Sequence, residues 1–403
     1  MITHSRPAGT LFSSRFFAAL ILSLCSVLSA HANVTLSHIF SDHMVLQRSK
    51  TVPIWGKAAP GEQVTVSFNG QSVNATADSS GAWKASLAPM QAGGPYVMDI
   101  KGANSVSIQD VYVGEVWLAS GQSNMHHIVS TALNADKEIA SSNIPLIRMF
   151  TANPQVQKTP QDDVPGAWQV ASPQTTPNFS AVGFFFAREL NQKLNVPIGI
   201  VNASFDWTPG ESWVSREALS SDPELKQDIL GKWDDIDNTY PAKKARYDAD
   251  MKAWQAAGSK GTQPMGPRDP MFFHRAAGLW NGGIAPLVPY SIRGIIWWQG
   301  ETNADSQRGY QYRTLFQALI TDWRKNWNDQ SLPFYWVQLS SVLPPDPQPV
   351  ESEWAEVREA QAMALALPAT GMVVGIDLGE PPDNVHPRNK QAFAHRLALI
   401  ALI

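Results

Sequence analysis

The side chains best suited to chemistry lie at widely separated places in the sequence. Ser123 follows an apolar run on a glycine-led turn, in the segment WLASGQSNM at 117–125. Asp383 and His386 come much later, in the segment DNVHP at 383–387. A serine hydroxyl is a poor nucleophile until a base takes its proton, and a histidine oriented by a carboxylate suits that task near neutral pH. These three residues predict a serine hydrolase.

Another polar segment, WWQGETNA at 297–304, also ends an apolar run. Ester cleavage needs hydrogen-bond donors directed at the developing oxyanion. The backbone N–H of Ser123 and the side-chain amide of Asn303 are candidates, although Asn303 also suits a helix cap. Glu301 is predicted either to orient the histidine in place of Asp383 or to brace the loop.

Two histidines directly after the nucleophile raise the question of a metal. His126 and His127 are adjacent, but no third ligand lies at a suitable spacing, so no metal site is predicted. The serine chemistry itself requires no cofactor.

The elements that must position these residues follow a strand–helix alternation after Asp110. Apolar strands are predicted at 111–119, 199–205, 294–298, 334–339 and 371–376. Helical patterns separate them, which predicts an α/β fold with a parallel sheet covered by helices on both faces. Chemistry in such sheets gathers at the carboxyl ends of the strands, and the three polar segments follow predicted strands.

The earlier part of the chain has a different pattern. Residues 33–110 contain short alternating runs broken by turns, and Asn69-Gly70 between two runs predicts a hairpin. We expect a small antiparallel β-sandwich there, either structural or carbohydrate-binding, followed by a catalytic domain at 111–403. A polar helical insertion at about 215–275 is expected either to border the site or to cover only the surface.

The N-terminus predicts export. The chain has 403 residues, of which 44% are hydrophobic and 16% charged, as in ordinary globular proteins. Residues 1–32 have the pattern of a secretory signal, because Arg6 and Arg15 precede the apolar run at 16–30 and a small-residue cleavage site follows at 30–32. Cys25, the only cysteine, lies inside it, so the mature chain would carry no thiol. This suits a bacterial periplasmic or secreted protein.

The charge balance argues against two classes of partner. Cleavage after residue 32 reduces 31 basic side chains to 29, against 35 acidic ones, and leaves a net charge of −6. We therefore expect neither nucleic acid nor an anionic membrane as a partner. The oligomeric state is left open.

The polar segments resemble those of the sialate O-acetylesterase family of SGNH hydrolases. The similar segments are GQSNM at 121–125, WQGETNA at 298–304, DNVH at 383–386, LWNG at 279–282, IAPL at 284–287 and Asn389-Lys390. This resemblance covers most of the mature chain and implies a parallel-sheet, flavodoxin-like SGNH three-layer domain. It implies Ser123 as nucleophile, His386 as base, Asp383 as orienting acid and Asn303 as oxyanion donor. Related carbohydrate acetylesterases have a glutamate at the position of Glu301, so the identity of the acid stays open.

One motif departs from that family. Where the family usually has Ser-Trp-Gly-Gly-Thr, this chain has SFDWT at 204–208. Asp206 replaces the glycine whose N–H completes the oxyanion hole; its own N–H can still donate, but its carboxylate would repel an oxyanion if it turned inward. Trp207 is expected either to stack on a pyranose ring or to pack in the core. The predicted substrate-binding residues are Gln122, Trp207, Gln299 and Glu301.

Together with these residues, the resemblance implies a serine esterase that removes O-acetyl groups from carbohydrate through an acetyl-enzyme intermediate. The family name implies sialic acid as substrate, whereas the fifteen tryptophans and the export signal suit acetylated xylan or xyloglucan. One alternative is a catalytically weak or inactive carbohydrate-binding protein on the same fold, which Asp206 would favour. Another is a lipid or thioester hydrolase, which would need a long apolar channel.

Overall fold

The computed structural model describes residues 33–342, 344, 346–380, 382 and 384–403. The predicted signal segment at 1–32 and the predicted acid Asp383 lie outside these residues. The strands are β1 (Thr35–Leu36), β2 (Val45–Gln47), β3 (Val52–Lys57), β4 (Gln63–Phe68), β5 (Gln71–Thr76), β6 (Ala82–Leu87), β7 (Gly93–Lys101), β8 (Ser105–Gly121), β9 (Ile144–Ala152), β10 (Gly166–Ala171), β11 (Ile198–Ser204), β12 (Gly294–Trp298), β13 (Phe334–Val337) and β14 (Thr370–Val373). The α-helices are α1 (Ser123–His126), α2 (Ala135–Ala140), α3 (Ala181–Leu194), α4 (Arg216–Ser221), α5 (Pro223–Leu225), α6 (Gly231–Ala256), α7 (Glu301–Asp305), α8 (Tyr312–Trp327), α9 (Glu353–Met363) and α10 (Lys390–Ala401).

A large mixed sheet forms the centre of the molecule, with the main strand order β10-β9-β11-β8-β12-β13-β14. From β9 to β14 the neighbouring strands on this path are parallel, and β10 pairs antiparallel with β9 at one edge. Strands β11 and β12 are buried along their whole length, as expected for strands covered on both faces. The predicted α/β class is confirmed. All five predicted strands are present, whereas β9 and β10 were not predicted.

The N-terminal strands are continuous with this sheet. β8 pairs antiparallel with β7 along its first part and parallel with β11 and β12 along its last part. The expected domain boundary between 110 and 111 therefore falls within one strand. The predicted hairpin is present, because β4 and β5 pair in antiparallel register and both Asn69 and Gly70 have positive φ angles. A separate three-stranded sheet contains β1, β3 and β6.

The expected helical insertion contains the longest helix of the described residues. α6 is mostly exposed and charged, and Trp233 is its buried residue. Asp237 on this helix pairs with Arg275 at 2.6 Å and with Lys158 at 2.7 Å, which ties the helix to the rest of the protein. Within the described part of the chain, no helix is both long and apolar enough to span a membrane.

Most of the tryptophans serve packing. Ten of them are buried: Trp83, Trp117, Trp168, Trp213, Trp233, Trp280, Trp297, Trp298, Trp323 and Trp336. Large aromatic side chains contribute much of the apolar area that a core removes from water. The tryptophan count therefore carries no information about a polysaccharide substrate, contrary to the expectation from composition.

Candidate active site

The carboxyl ends of three central strands are level with one another. In the parallel register Gly121 of β8 is opposite Ser204 of β11 on one side and Trp298 of β12 on the other. Just beyond, Gln122 N donates to Trp298 O at 2.9 Å and Phe205 N donates to Gly121 O at 3.1 Å. The turns that follow these strands therefore meet at one edge of the sheet.

The turn that presents Ser123 depends on a glycine. Gly121 has a φ of 132°, and a Cβ built there would lie 2.1 Å from Trp298 O. No side chain fits at that position, so only glycine permits the sharp change from β8 to α1. Ser123 is the first residue of α1, where a backbone N–H has no acceptor within the helix. The N–H of Ser123 can therefore donate to an oxyanion.

Ser123 and His386 are hydrogen-bond partners. Ser123 Oγ and His386 Nε2 lie 2.8 Å apart, although 263 residues separate them in sequence. His386 lies in the loop between β14 and α10, and its own N–H donates to Asn384 Oδ1 at 3.0 Å. Burial, and then the positive charge of Lys390, lower the pKa of His386. The ring is therefore neutral near pH 7, as a general base must be.

Glu301 lies behind this pair and is buried. Its Oε1 accepts a hydrogen bond from Asn124 Nδ2 at 2.6 Å, while Oε2 has no partner among the described residues. Lys390 Nζ donates to Asn124 Oδ1 at 2.5 Å. We refer to Asn124, Glu301 and Lys390 as the Asn124 bridge. Burial raises the pKa of Glu301, and its hydrogen bond goes to Asn124 rather than to His386.

Asp206 lies on the opposite side of Ser123, in the turn after β11. Its carboxylate accepts a hydrogen bond from His126 Nδ1 at 2.8 Å, and both side chains are nearly half exposed. This hydrogen bond lowers the pKa of Asp206 and raises the pKa of His126. The Asp206 carboxylate is thus held by the neighbouring His126 imidazole.

Trp207 follows with a positive φ of 60° and is 59% exposed, which excludes core packing. We refer to His126, Asp206 and Trp207 as the Asp206 lip. On the inner side of this lip, burial lowers the pKa of His127 to about 4. In the part of the chain that the structure describes, no three His, Cys, Asp or Glu side chains cluster as metal ligands would.

Two predicted residues lie beneath the site rather than in it. Gln299 and Asn303 are fully buried, and Gln299 Nε2 donates to Asn303 Oδ1 at 2.7 Å. Asn303 Oδ1 also accepts from Gly210 N at 2.8 Å, and Asn303 Nδ2 donates to Glu211 Oε2 at 3.1 Å. These bonds hold the turn after β11 to α7. The structure does not bring either side chain to the surface of the cleft.

A cleft of about 760 Å³ opens over the Ser123–His386 pair. The predicted residues Gln122, Ser123, Trp207, Glu301 and His386 line it. Other lining residues were not predicted and include Asp305, Trp354, Arg358 and Asp377.

Trp354 and Arg358 are one helical turn apart on α9, a spacing that places both on the same face. Arg358 donates to the carbonyl oxygens of Leu339 and Ser340, each at 2.9 Å, which fixes this side of the cleft. In the sequence, the four-residue spacing indicates that the two side chains share a helix face. Nothing in the local sequence indicates that this face borders the cleft.

Comparisons with known proteins show which family the chain resembles. The family described as carbohydrate esterase, sialic acid-specific acetylesterase, matches residues 281–401. The sialate O-acetylesterase of Mus musculus is 30% identical over 92% of this chain and 73% of its own length. The Homo sapiens enzyme is 31% identical over 90% of this chain and 69% of its own length.

A solved structure extends the similarity to the fold. The crystal structure of a carbohydrate acetylesterase from Xanthomonas citri is 35% identical and superposes with a TM-score of 0.75. The match covers 92% of this chain and 74% of that one. Identity of 30% or more over about nine-tenths of this chain and more than two-thirds of the relatives establishes a common family. This chain belongs to the sialate O-acetylesterase family of carboxylic ester hydrolases.

Proposed function

We propose that this chain is an exported serine esterase that removes O-acetyl groups from carbohydrate through an acetyl-enzyme intermediate. The observation that carries the proposal is the 2.8 Å contact between Ser123 Oγ and His386 Nε2 at the base of the cleft. The family membership and the Xanthomonas citri structure support the class of substrate.

In the first half-reaction Ser123 Oγ attacks the acetyl carbonyl while His386 Nε2 takes the hydroxyl proton. The sugar oxygen then leaves with that proton, and the acetyl group stays on Ser123. In the second half-reaction a water attacks, with His386 again as base, and acetate is released. Asp383 is the proposed orienting acid, because Glu301 is hydrogen-bonded to Asn124.

The oxyanion is proposed to accept hydrogen bonds from the backbone N–H groups of Ser123 and Asp206. Both groups lie in the turns beside the nucleophile, after β8 and β11. The hydrogen bond from His126 draws the Asp206 carboxylate aside, which limits its repulsion of the oxyanion. Asn303 serves this site through its bond to Gly210 N, by holding the turn after β11 in place.

The cleft favours a sugar over a long acyl chain. Its lining combines the exposed indole of Trp207 with Trp354 and several carboxylates and an arginine, whereas a lipid or thioester substrate needs an apolar channel. A pyranose ring presents an apolar face to an indole and hydroxyl groups to polar side chains. We propose Gln122 and Trp207 as substrate contacts.

The remaining proposals concern assignment and location. We assign the central sheet to the SGNH three-layer fold, in which the nucleophile follows a central parallel strand, as Ser123 follows β8. Residues 1–32 are proposed to direct export to the bacterial periplasm or beyond.

Acetate release from a panel of substrates tests the function. The panel contains O-acetylated sialic acid, acetylated xylan and acetylated xyloglucan, with Ser123→Ala as the matched control. We expect the wild-type protein to release acetate from at least one of them and the variant from none. A wild-type protein that binds these glycans without releasing acetate would establish a binding protein instead.

A further inference from the structure

Lys390 is a buried amino group that the proposed reaction does not use. It is the first residue of α10, and its side chain is fully buried. Its Nζ donates to Asn124 Oδ1 at 2.5 Å and lies 4.4 Å from the centre of the Trp298 ring. Burial disfavours an ammonium, and so does the positive end of a helix dipole. A cation kept at such a place requires compensating contacts.

The contacts of Asn124 show what the cation touches. Asn124 directly follows the nucleophile, and its Nδ2 donates to Glu301 Oε1 at 2.6 Å and to Val385 O at 2.9 Å. Val385 directly precedes the base His386. One side-chain amide therefore joins the nucleophile turn, the loop of the base and the buried carboxylate.

The chemistry of an ammonium determines which way this amide faces. In its ammonium form Lys390 offers donors and no acceptor, so only the oxygen of the Asn124 amide can face it. The two N–H groups of Asn124 are then directed at Glu301 and at Val385 O. Without Lys390, nothing fixes which end of the Asn124 amide is the oxygen and which is the nitrogen. The hydrogen bond from Asn124 Nδ2 to Val385 O is then no longer held in place.

We propose that Lys390 is a positioning residue for the Ser123–His386 pair, acting through Asn124 to hold the nucleophile turn and the His386 loop against the buried Glu301 carboxylate. The inference rests on the proposed serine mechanism. It assigns a function to the Asn124 bridge other than that of the orienting acid.

The charges around Lys390 give this function a second readout. Glu301 faces it from α7, Glu380 from the loop before the base, and the rings of His386 and His127 also lie within its field. Burial lowers the pKa of Lys390 to about 7, so the group is cationic at lower pH. There it disfavours a second positive charge on His386. Removing the cation raises the pKa of His386, and the acid limb of kcat/KM moves to higher pH.

The test compares Lys390→Met with Arg388→Met in the hydrolysis of p-nitrophenyl acetate. For Lys390→Met we expect kcat to fall about 100-fold, as for a small misplacement of reacting groups, and the acid limb to rise by at least about 0.5 pH unit. Arg388 is the matched control, because it lies in the same loop, is largely exposed and pairs with Glu380 at 3.5 Å. Its variant should stay within about twofold of wild type, with an unmoved acid limb.

Asn124→Ala provides the second variant. It removes the bridge but keeps the ammonium, so kcat should fall to a similar extent while the acid limb stays in place. Thermal unfolding checks the fold of each variant, and Asn124→Ala carries the test if Lys390→Met does not fold. Loss of folding in both variants would overturn the inference, because it would show a role in stability alone.

The remaining outcomes separate the inference from the mechanism. An inactive Ser123→Ala together with a fully active Lys390→Met would overturn only the positioning role. So would a slow Lys390→Met whose acid limb had not moved, since lost packing alone gives that result. An active Ser123→Ala would overturn the serine mechanism and the inference with it.

Discussion

The residues on the two sides of Ser123 differ in their exposure to solvent. On one side, the side chains of the Asn124 bridge are buried, and its charged groups interact in surroundings of low dielectric constant. On the other, the Asp206 lip is half exposed, and Trp207 is 59% exposed. Electrostatic interactions are strong between buried groups and are screened between solvent-exposed groups. The buried side therefore suits holding the Ser123–His386 pair, and the exposed side suits contact with a substrate.

The largest effect is expected between the two sides, at the nucleophile itself. Ser123→Ala removes the attacking oxygen, and kcat should fall by at least about 10⁴-fold, because the groups of such a site act as a unit. Acetate release measures the loss, and thermal unfolding should show an unchanged fold. Residual activity within about tenfold of wild type would contradict the serine mechanism.

The next largest effect is expected at the two carboxylates that could orient His386, namely Asp383 and the buried Glu301. If Asp383 orients the histidine, Asp383→Asn should lower kcat by about 10⁴-fold through the wrong imidazole tautomer. Glu301→Gln keeps the shape of the bridge and should cost roughly 10- to 100-fold, as a change in positioning does. Parallel kcat measurements give the order. The reverse order would make Glu301 the orienting acid.

The exposed side should affect substrate binding more than turnover. Trp207→Ala removes the proposed stacking surface, so KM for an acetylated glycan should rise about tenfold with little change in kcat. Trp207→Phe is the matched control and should keep much of the binding. p-Nitrophenyl acetate has no sugar to stack, so its kcat/KM should hardly change. An unchanged KM for the glycan would remove Trp207 from the substrate site.

A smaller effect is expected at the His126–Asp206 hydrogen bond of the same side. His126→Ala frees the Asp206 carboxylate beside the proposed oxyanion hole and should lower kcat by roughly three- to tenfold, since exposed pairs are screened. The double variant His126→Ala/Asp206→Gly should recover most of that loss. A double variant as slow as the single one would show that the carboxylate does not repel the oxyanion.

The smallest expected effect is a shift in the pH dependence of kcat/KM. His386 acts as a base only when neutral, and burial together with Lys390 lowers its pKa. The rate therefore falls only as pH drops through that lowered pKa, so the acid limb of kcat/KM should have its midpoint below about 6.5. A midpoint above this value would contradict a desolvated His386 beside a cation.

The central sheet was predictable because parallel strands covered on both faces are continuous apolar runs. The segments at 294–298 and 199–205 have that character, and they form β12 and β11. β9 was missed because Pro145 and Arg148 interrupt its apolar pattern. The predicted boundary at 110 falls inside β8 because this strand changes from half-exposed to fully buried along its length, which in sequence looks like two elements.

The site was predictable where a motif fixes local geometry and not where tertiary contacts decide. Ser123 and His386 were found from a turn glycine and a short polar loop, and the structure joins them. Gln299 belongs to the same motif as Glu301. However, the Gln299 side chain is buried beneath the cleft, whereas Glu301 lines it. Trp354 and Arg358 reach the cleft because α9 packs there, which no local pattern reveals.

Covalent labelling tests the central claim most directly. Diethyl p-nitrophenyl phosphate phosphorylates a serine only when a base activates it, and mass spectrometry of the intact protein and its peptides locates the adduct. One diethylphosphoryl group should appear on the peptide that contains Ser123, in step with the loss of esterase activity, and His386→Ala should label far more slowly. Full inactivation with the label on another residue, or an unlabelled protein that still releases acetate, would contradict the account.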